Sequence, residues 1–558
     1  MPERIVTYSG LLVAAAALVV GVPLFLRMPP WCDLTLYDLA AQNLLRGGVH
    51  YRDVFDTNLP GFVWALAAVQ AVLGRSTEAV RAVDLVVVAG IAVLLDRFAA
   101  WGGASRGARA WLLAGIALFY PYTSEFNHAQ RDIWMLLPAL AAVAWRCRAT
   151  DFPFRAAVGQ GVLWGLAIWV KPHVLPVVVA VWACTLPVLV ARGWRVAVRD
   201  AGGLILGGGV TGATGVALLF DSGTWPHFVE VFTFWNTSYV AVMRQEFDSR
   251  LTTHLLYFPP WGYLQFLTIP LACGNVVVGL VAACRGPVSP TRYARLLLSA
   301  LYLSWTAQAV LIQRGFHYAH VDEILLLLAL GAAHRLYLGA ATAAVLTVTS
   351  LLILDARVPM QNPNPALIWP SDPHVLFVRH PLFDGERMAL WPHCFRTGLS
   401  DEAYYQRQND LAQVREFFPA NDWVQLAELA AELKRRGARD GEVLAWDDAP
   451  HAVYRLAGIR PGFRFLHVRA MTGLGPAQAQ RIRAERDAAT KVKYAIGDLK
   501  PLGFSDPTEV GDRAAFGPDL LPPSLSDAVR KTYPYTLPAV FRTRQNTGRY
   551  VLYAVRPE

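Results

Sequence analysis

Charge is scarce in this chain. Of its 558 residues only 17% are Asp, Glu, Lys or Arg, while 54% are hydrophobic and the mean hydropathy is +0.32. Soluble domains carry roughly 25% charged residues, so an ordinary soluble fold is excluded. Cysteine is scarce too. Its six residues, Cys32, Cys147, Cys184, Cys273, Cys284 and Cys394, include no C-x-x-C pair, which argues against a zinc ribbon or a redox motif. Only Cys32 and Cys394 are placed on the external side, so a disulfide between them is left open. No internal repeat is found. A small-residue cleavage site is missing after Ile5 to Leu26, and that stretch exceeds the roughly 7–15 apolar residues of a signal peptide. It reads as an uncleaved first helix.

What the chain has is apolar runs. Runs near twenty residues recur from Ile5 to Asp355 and then stop, the pattern of a polytopic α-helical membrane protein. After Ile5–Leu26 they are Val80–Leu95, Ala110–Tyr120, Ile133–Trp145, Ala156–Val170, Val174–Val190, Gly202–Phe220, Trp261–Ala283, Leu296–Ile312, Ile324–Ala333 and Ala340–Leu354. This gives about eleven crossings. Phe62–Leu73 is too short to span and is read as lying in the outer interface. With that choice every Arg-rich short loop falls on one side, as cytoplasmic loops require. The net charge of +9 therefore reflects those loops and not a nucleic-acid partner.

The boundary predicted from this change of composition puts a membrane domain at 1–355, with an external loop at 28–79, and an extracytoplasmic C-terminal domain at 356–558. In that domain Asp422 to Arg436 has the spacing of an amphipathic helix. Gly441–Trp446 and Lys493–Ile496 read as strands, and Phe541 with Tyr550–Val555 as a closing strand pair. Alternating strands and helices predict a small α/β domain.

The polar turns on the external side collect Asp33, Glu125, Asp132, Lys171, His173, Arg314, His317 and His320. Ionisable groups at membrane depth are costly and usually mark a site or pathway. Trp31 to Gly61 alone carries four carboxylates, Asp33, Asp38, Asp53 and Asp56. Asp33 and Tyr37 share a helix face, and Asp33 reads either as a base facing a cavity or as a helix N-cap. Asp132, beside Arg131, is a second acid or a solvated helix start. Asp53 and Asp56 fit turn chemistry in DTNLPG. His317, His320, Asp322 and Glu323 could hold a metal, contact substrate or pack at the interface. Trp31 and Trp235 are candidates for stacking on a sugar. Gly207, Gly209 and Gly212 match G-x-G-x-x-G, but inside an apolar run, where helix packing through Gly208 and Gly212, or Gly203 and Gly207, explains them.

The stretch DLTLYDLAAQNLLRGGVHYRDVFDTNLPG resembles the first external loop of GT-C superfamily glycosyltransferases, the membrane enzymes similar to protein O-mannosyltransferases and aminoarabinose lipid A transferases. Asp33, Tyr37, Gly47 or Gly48, Tyr51, Arg52, Asp53 and Pro60–Gly61 carry the likeness, with Leu34 where a second acid is usual and Leu59 where Lys–Pro or Pro is frequent. EFNHAQRD, GLAIWVKP and QRGFHYAH resemble later external elements. The resemblance covers about residues 5 to 340. It implies a polyprenyl-phosphate sugar donor in the membrane and an acceptor hydroxyl or amine of unknown lipid, glycan or protein. It also implies inverting transfer on the external face, Asp33 as general base and Asp132 as second acid. Lys171 and Arg314 would neutralise the phosphate, with Tyr37, Tyr51, His173, His317 and His320 around the substrate. A divalent cation remains open. The rival expectation is a transporter or flippase of a lipid-linked or polar substrate, which should show mid-membrane ionisable groups and paired repeats. A third is a sensor anchored by its membrane part.

Overall fold

All eleven apolar runs are helical over their described residues apart from the end residues Trp261 and Ile312, and the fold is that of a polytopic α-helical membrane protein with a C-terminal α/β domain. The computed structural model describes residues 2–148, 153–245, 258, 260–313, 316–352, 380–413, 420–500, 531–546 and 548–556. Arg314 and the 355/356 boundary lie outside them. Among the described residues, five helical stretches are long and apolar enough to cross a membrane: Glu3–Arg27, Pro172–Ala191, Trp194–Asp221, Gly262–Arg285 and Pro290–Leu311. His317–Ala333 and Leu338–Leu351 make a sixth if taken together, bent by 119° at their junction.

The first nine helices are α1 (Glu3–Arg27), α2 (Cys32–Leu45), α3 (Gly61–Leu73), α4 (Thr77–Trp101), α5 (Arg106–Phe119), α6 (Arg131–Arg148), α7 (Phe154–Val170), α8 (Leu175–Ala191) and α9 (Trp194–Asp221). At 13 residues, α3 is only about 20 Å long, as its short apolar run requires. Every residue of the helix Val321–Ala333 is buried, and it packs against α4, α5, α6 and the Pro290–Leu311 helix. That burial explains its uninterrupted run of Leu and Ala.

Helices α7 and α9 approach backbone to backbone. A Cβ on Gly207 would lie 2.0 Å from the Val158 carbonyl oxygen, and one on Gly161 would lie 2.3 Å from that of Leu204. Gly203 and Gly207 face this seam, whereas Gly209 and Gly212 have nothing within 4 Å. The G-x-G-x-x-G string is thus helix packing, on the Gly203–Gly207 pairing and not the Gly208–Gly212 one. Gly61 serves a similar end, because a Cβ there would meet the Trp169 carbonyl at 2.4 Å. The Pro60–Gly61 break therefore seats α3 against the end of α7, one residue before Lys171.

The C-terminal domain is built on a sheet ordered β1-β2-β4-β3, from Val443–Ala445 (β1), Tyr494–Asp498 (β2), Ala539–Arg542 (β3) and Tyr550–Ala554 (β4). β1 and β2 are parallel, and β4 runs antiparallel to both β2 and β3. The amphipathic helix Trp423–Arg435 begins at an Asp422 cap, whose carboxylate accepts from the Gln425 amide. This domain closes over the α1–α2 connection and α2. Arg27 donates to the Cys394 carbonyl at 3.1 Å, Gln408 to the Arg27 carbonyl at 3.0 Å, and Arg464 to the Tyr51 carbonyl at 3.2 Å.

Candidate active site

The site starts at the first turn of α2. Trp31, in extended backbone, precedes the helix and caps it with no side chain. Asp33 is therefore not the N-cap, and its carboxylate is left for other partners near a helix N-terminus. One oxygen lies 3.6 Å from His467 Nε2 and 3.8 Å from Cys32 Sγ. Burial raises the Asp33 carboxyl above the usual carboxylate value, and the charge of Arg131 pulls it back. The result is a base that takes a proton more readily than an exposed aspartate while staying beside a cation. One turn on, Tyr37 lies with its ring 5.0 Å beneath the Arg131 guanidinium and edge-on to Phe62.

Arg131 is set in place by α4. The buried Asp84 accepts from the Tyr120 hydroxyl at 2.7 Å, the Ala129 amide at 3.0 Å and the Trp134 indole at 2.8 Å. These three bonds fold the Tyr120–Trp134 segment and aim the start of α6. Arg131 is buried, and its Nε and Nη1 have no hydrogen-bond partner. A buried guanidinium with idle donors favours an anion. Asp56 shares this environment. It is 5% exposed, Asn58 donates to its Oδ1 at 2.6 Å, and its Oδ2 is buried without a partner. Burial raises the Asp56 carboxyl and Arg131 opposes the shift. Asp53 by contrast closes the loop, accepting from the Val49 amide at 2.7 Å.

Asp132 and Lys171 meet. The ammonium reaches both carboxylate oxygens, at 2.7 and 2.8 Å, and also bonds Gln313 Oε1. Lys171 lies 5.6 Å from the Tyr318 ring centroid. Its donors are thus committed to Asp132 and Gln313, which leaves Arg131 as the cation with idle donors among these residues. His173 stands in the next turn, with a buried Nδ1 that has no partner. His317 and His320 are buried in the turn before Val321. His320 Nδ1 pairs with Glu323 at 2.9 Å, and Asp322 accepts from the Trp305 indole at 2.9 Å. These four do not gather as metal ligands; among the described residues the one group that does is Cys32, Asp33 and His467.

Tyr51 is fully buried, donates its hydroxyl to the Asn58 carbonyl at 2.5 Å, and has a positive φ of 64°. It shapes the loop under the C-terminal domain. Trp235 is buried between Phe55 and Phe465, with ring centroids at 4.9 and 5.1 Å, so its faces are taken by protein. Trp31 is buried edge-on to Phe126. Cys32 and Cys394 are both free thiols in separate apolar clusters, so the disulfide left open by the sequence does not form.

Compared by sequence, the chain matches no protein-family model and no curated protein. Compared by structure, it is similar to ArnT from Cupriavidus metallidurans bound to undecaprenyl phosphate, at 15% identity over 97% of each chain with a TM-score of 0.49. It is similar also to that protein in the apo state, at 14% identity, 97% of each chain and 0.46. A third likeness is to the Archaeoglobus fulgidus oligosaccharyltransferase in complex with zinc and sulfate, at 13% identity over 88% of this chain and 68% of that one, TM-score 0.42.

Sequence reasoning missed Asp84, gave Arg131 no role beyond neighbouring Asp132, and missed the two histidines of the C-terminal domain, His451 and His467. Signals existed for some. Asp84 is an acid inside an apolar run. His451 and His467 lie in the crossover after β1, and the carboxyl ends of parallel strands are where α/β domains place their ligands. For Lys171 the sequence offered one more sign, since it is the only lysine before Lys434 in a chain that otherwise uses arginine.

Proposed function

We propose that the chain is a membrane glycosyltransferase that moves a sugar from a polyprenyl phosphate to an acceptor hydroxyl or amine. The observation that carries this reading is a carboxylate, Asp33, lying within the field of a buried guanidinium, Arg131, that has idle donors. Asp33 takes the acceptor proton as the acceptor attacks C1. The C1–O bond to phosphate breaks, its electron pair leaves with the phosphate, and Arg131 meets the charge with charge-assisted hydrogen bonds. Direct displacement inverts the anomeric centre. Lys171 holds Asp132 in position, and we assign substrate contact to His173, His317 and His320. The site and the C-terminal domain face the extracytoplasmic side, because the Arg-rich short loops then remain cytoplasmic.

The reading is tested on the full chain in proteoliposomes, with a panel of polyprenyl-phosphate hexoses and pentoses and with release of polyprenyl phosphate as readout. One donor in the panel should turn over when acceptor is present. Arg131→Gln should weaken use of that donor by roughly 10- to 100-fold in kcat/KM, the worth of a charged hydrogen bond. Translocation of the intact donor across the bilayer without release would support the transporter instead.

A further inference from the structure

We propose that residues 381–395 form a foot by which the C-terminal domain enters the lipid beside α1, latched by Trp391 to a carbonyl that Pro23 leaves without its helical donor. Pro23 lies inside α1. A helix pairs the carbonyl of residue 19 with the N–H of residue 23, and a proline has no N–H. No water reaches the bilayer interior to take that place, so an unsatisfied carbonyl there is costly. The Trp391 indole supplies the missing donor, its Nε1 lying 3.2 Å from the Val19 oxygen.

That bond sets the depth of the foot. Arg27 ends α1 and pairs with Glu78 in the first turn of α4 at 2.8 Å, which marks the polar boundary of these two helices. At about 1.5 Å per residue, Val19 lies about 12 Å below Arg27 along α1. Half of a hydrocarbon core is about 15 Å. The indole therefore reaches well into the leaflet on the side of the C-terminal domain.

The packing agrees. Leu390 and Trp391 pack with Val20, Leu24, Cys394 and Leu411. The Phe395 ring stands edge-on to Trp391 at 4.8 Å and is 57% exposed. It extends the apolar face of α1, on which Val19 is 63% and Leu12 70% exposed. That continuity with the lipid face of a spanning helix makes acyl chains the occupant. The chain then returns to the boundary, where the Cys394 carbonyl accepts from Arg27 at 3.1 Å and Arg407 donates to the His393 and Arg396 carbonyls at 3.3 and 3.2 Å. An amphipathic Trp among arginines is the pattern of a membrane interface. The other end of the segment is held by the bundle, because His380 bonds the Leu118 carbonyl at 2.8 Å. The inference rests on α1 crossing the membrane and is independent of the transfer reading.

Two experiments on the full chain in phosphatidylcholine nanodiscs test it. In the first, p-benzoylphenylalanine replaces Phe395, or Leu12 as the reference for a lipid-facing side chain. After irradiation, mass spectrometry should find a phospholipid adduct on the Phe395 probe at a yield comparable to that on the Leu12 probe. No lipid adduct, or a cross-link to a second copy of the chain in its place, overturns the proposal. In the second, hydrogen exchange of the 385–395 amides reads the latch. Trp391→Phe should speed that exchange by about fivefold, the net worth of one hydrogen bond. Pro23→Ala returns an N–H to the Val19 carbonyl, so in that background the same substitution should change the exchange much less. Equal effects in the two backgrounds overturn the latch. Neither readout needs a sugar, so its failure leaves the transfer reading standing, and a chain that transfers nothing leaves the foot standing.

Discussion

At the scale of residues, the account turns on what each buried charge is given to hold. Asp132 and Lys171 satisfy one another, whereas Arg131 keeps idle donors beside Asp33 and Asp56. A sequence shows which residues are charged but not which pairs close, so the pairing of Lys171 with Asp132 was not legible in it. Asp84 is the clearest positioning residue, with three donors from the segment that delivers Arg131. Asp84→Ala strands those donors in the bundle. It should destabilise the protein by about 3–5 kcal/mol, the usual cost of breaking a buried charged contact. The check is a thermal shift in detergent, and a melting curve that overlays the wild type would refute it.

At the scale of elements, the glycine seam and the small sheet make separate predictions. Gly207→Ala places a methyl 2.0 Å from a backbone oxygen and should cost about 1–3 kcal/mol of overpacking. Gly209→Ala meets nothing and should be neutral or stabilising by up to about 1 kcal/mol. Paired melting curves distinguish the two, and equal behaviour would mean that α7 and α9 do not pack as described. In the sheet domain, Asp447 and Asp448 follow β1. Burial first, and neighbouring carboxylates second, push them up to about 6 and about 7 from 3.8. The folded domain therefore binds more protons than the unfolded chain between about pH 4 and pH 7, and its stability falls as pH rises through that window. Asp448→Asn should flatten the slope. Hydrogen exchange at β1 and β2, corrected for intrinsic rate, reads it, and a slope unchanged by the substitution would contradict the assignment.

At the scale of the whole molecule, apolar runs and strand patterns located the helices of the eleven apolar runs, the helix Trp423–Arg435 and, among the described residues, all four strands, because burial in lipid or in a sheet leaves periodic marks. The half of the site that comes from the C-terminal domain left no such mark. His467 is separated from Asp33 by more than four hundred residues, and it arrives there only because the domain folds down over α2. Its bonds to Arg27, Tyr51 and Cys32 hold it there. The resemblance of the first loop pointed at Asp33 but could not supply the partners that surround it.

In the proposed sugar transfer, Asp33 removes the acceptor proton. The direct measurement is the single-turnover rate of polyprenyl phosphate release by Asp33→Asn, at saturating donor and acceptor, against the wild-type rate. The account predicts a rate lower by about 100-fold or more, within the range for loss of a general base. An unchanged rate would contradict it.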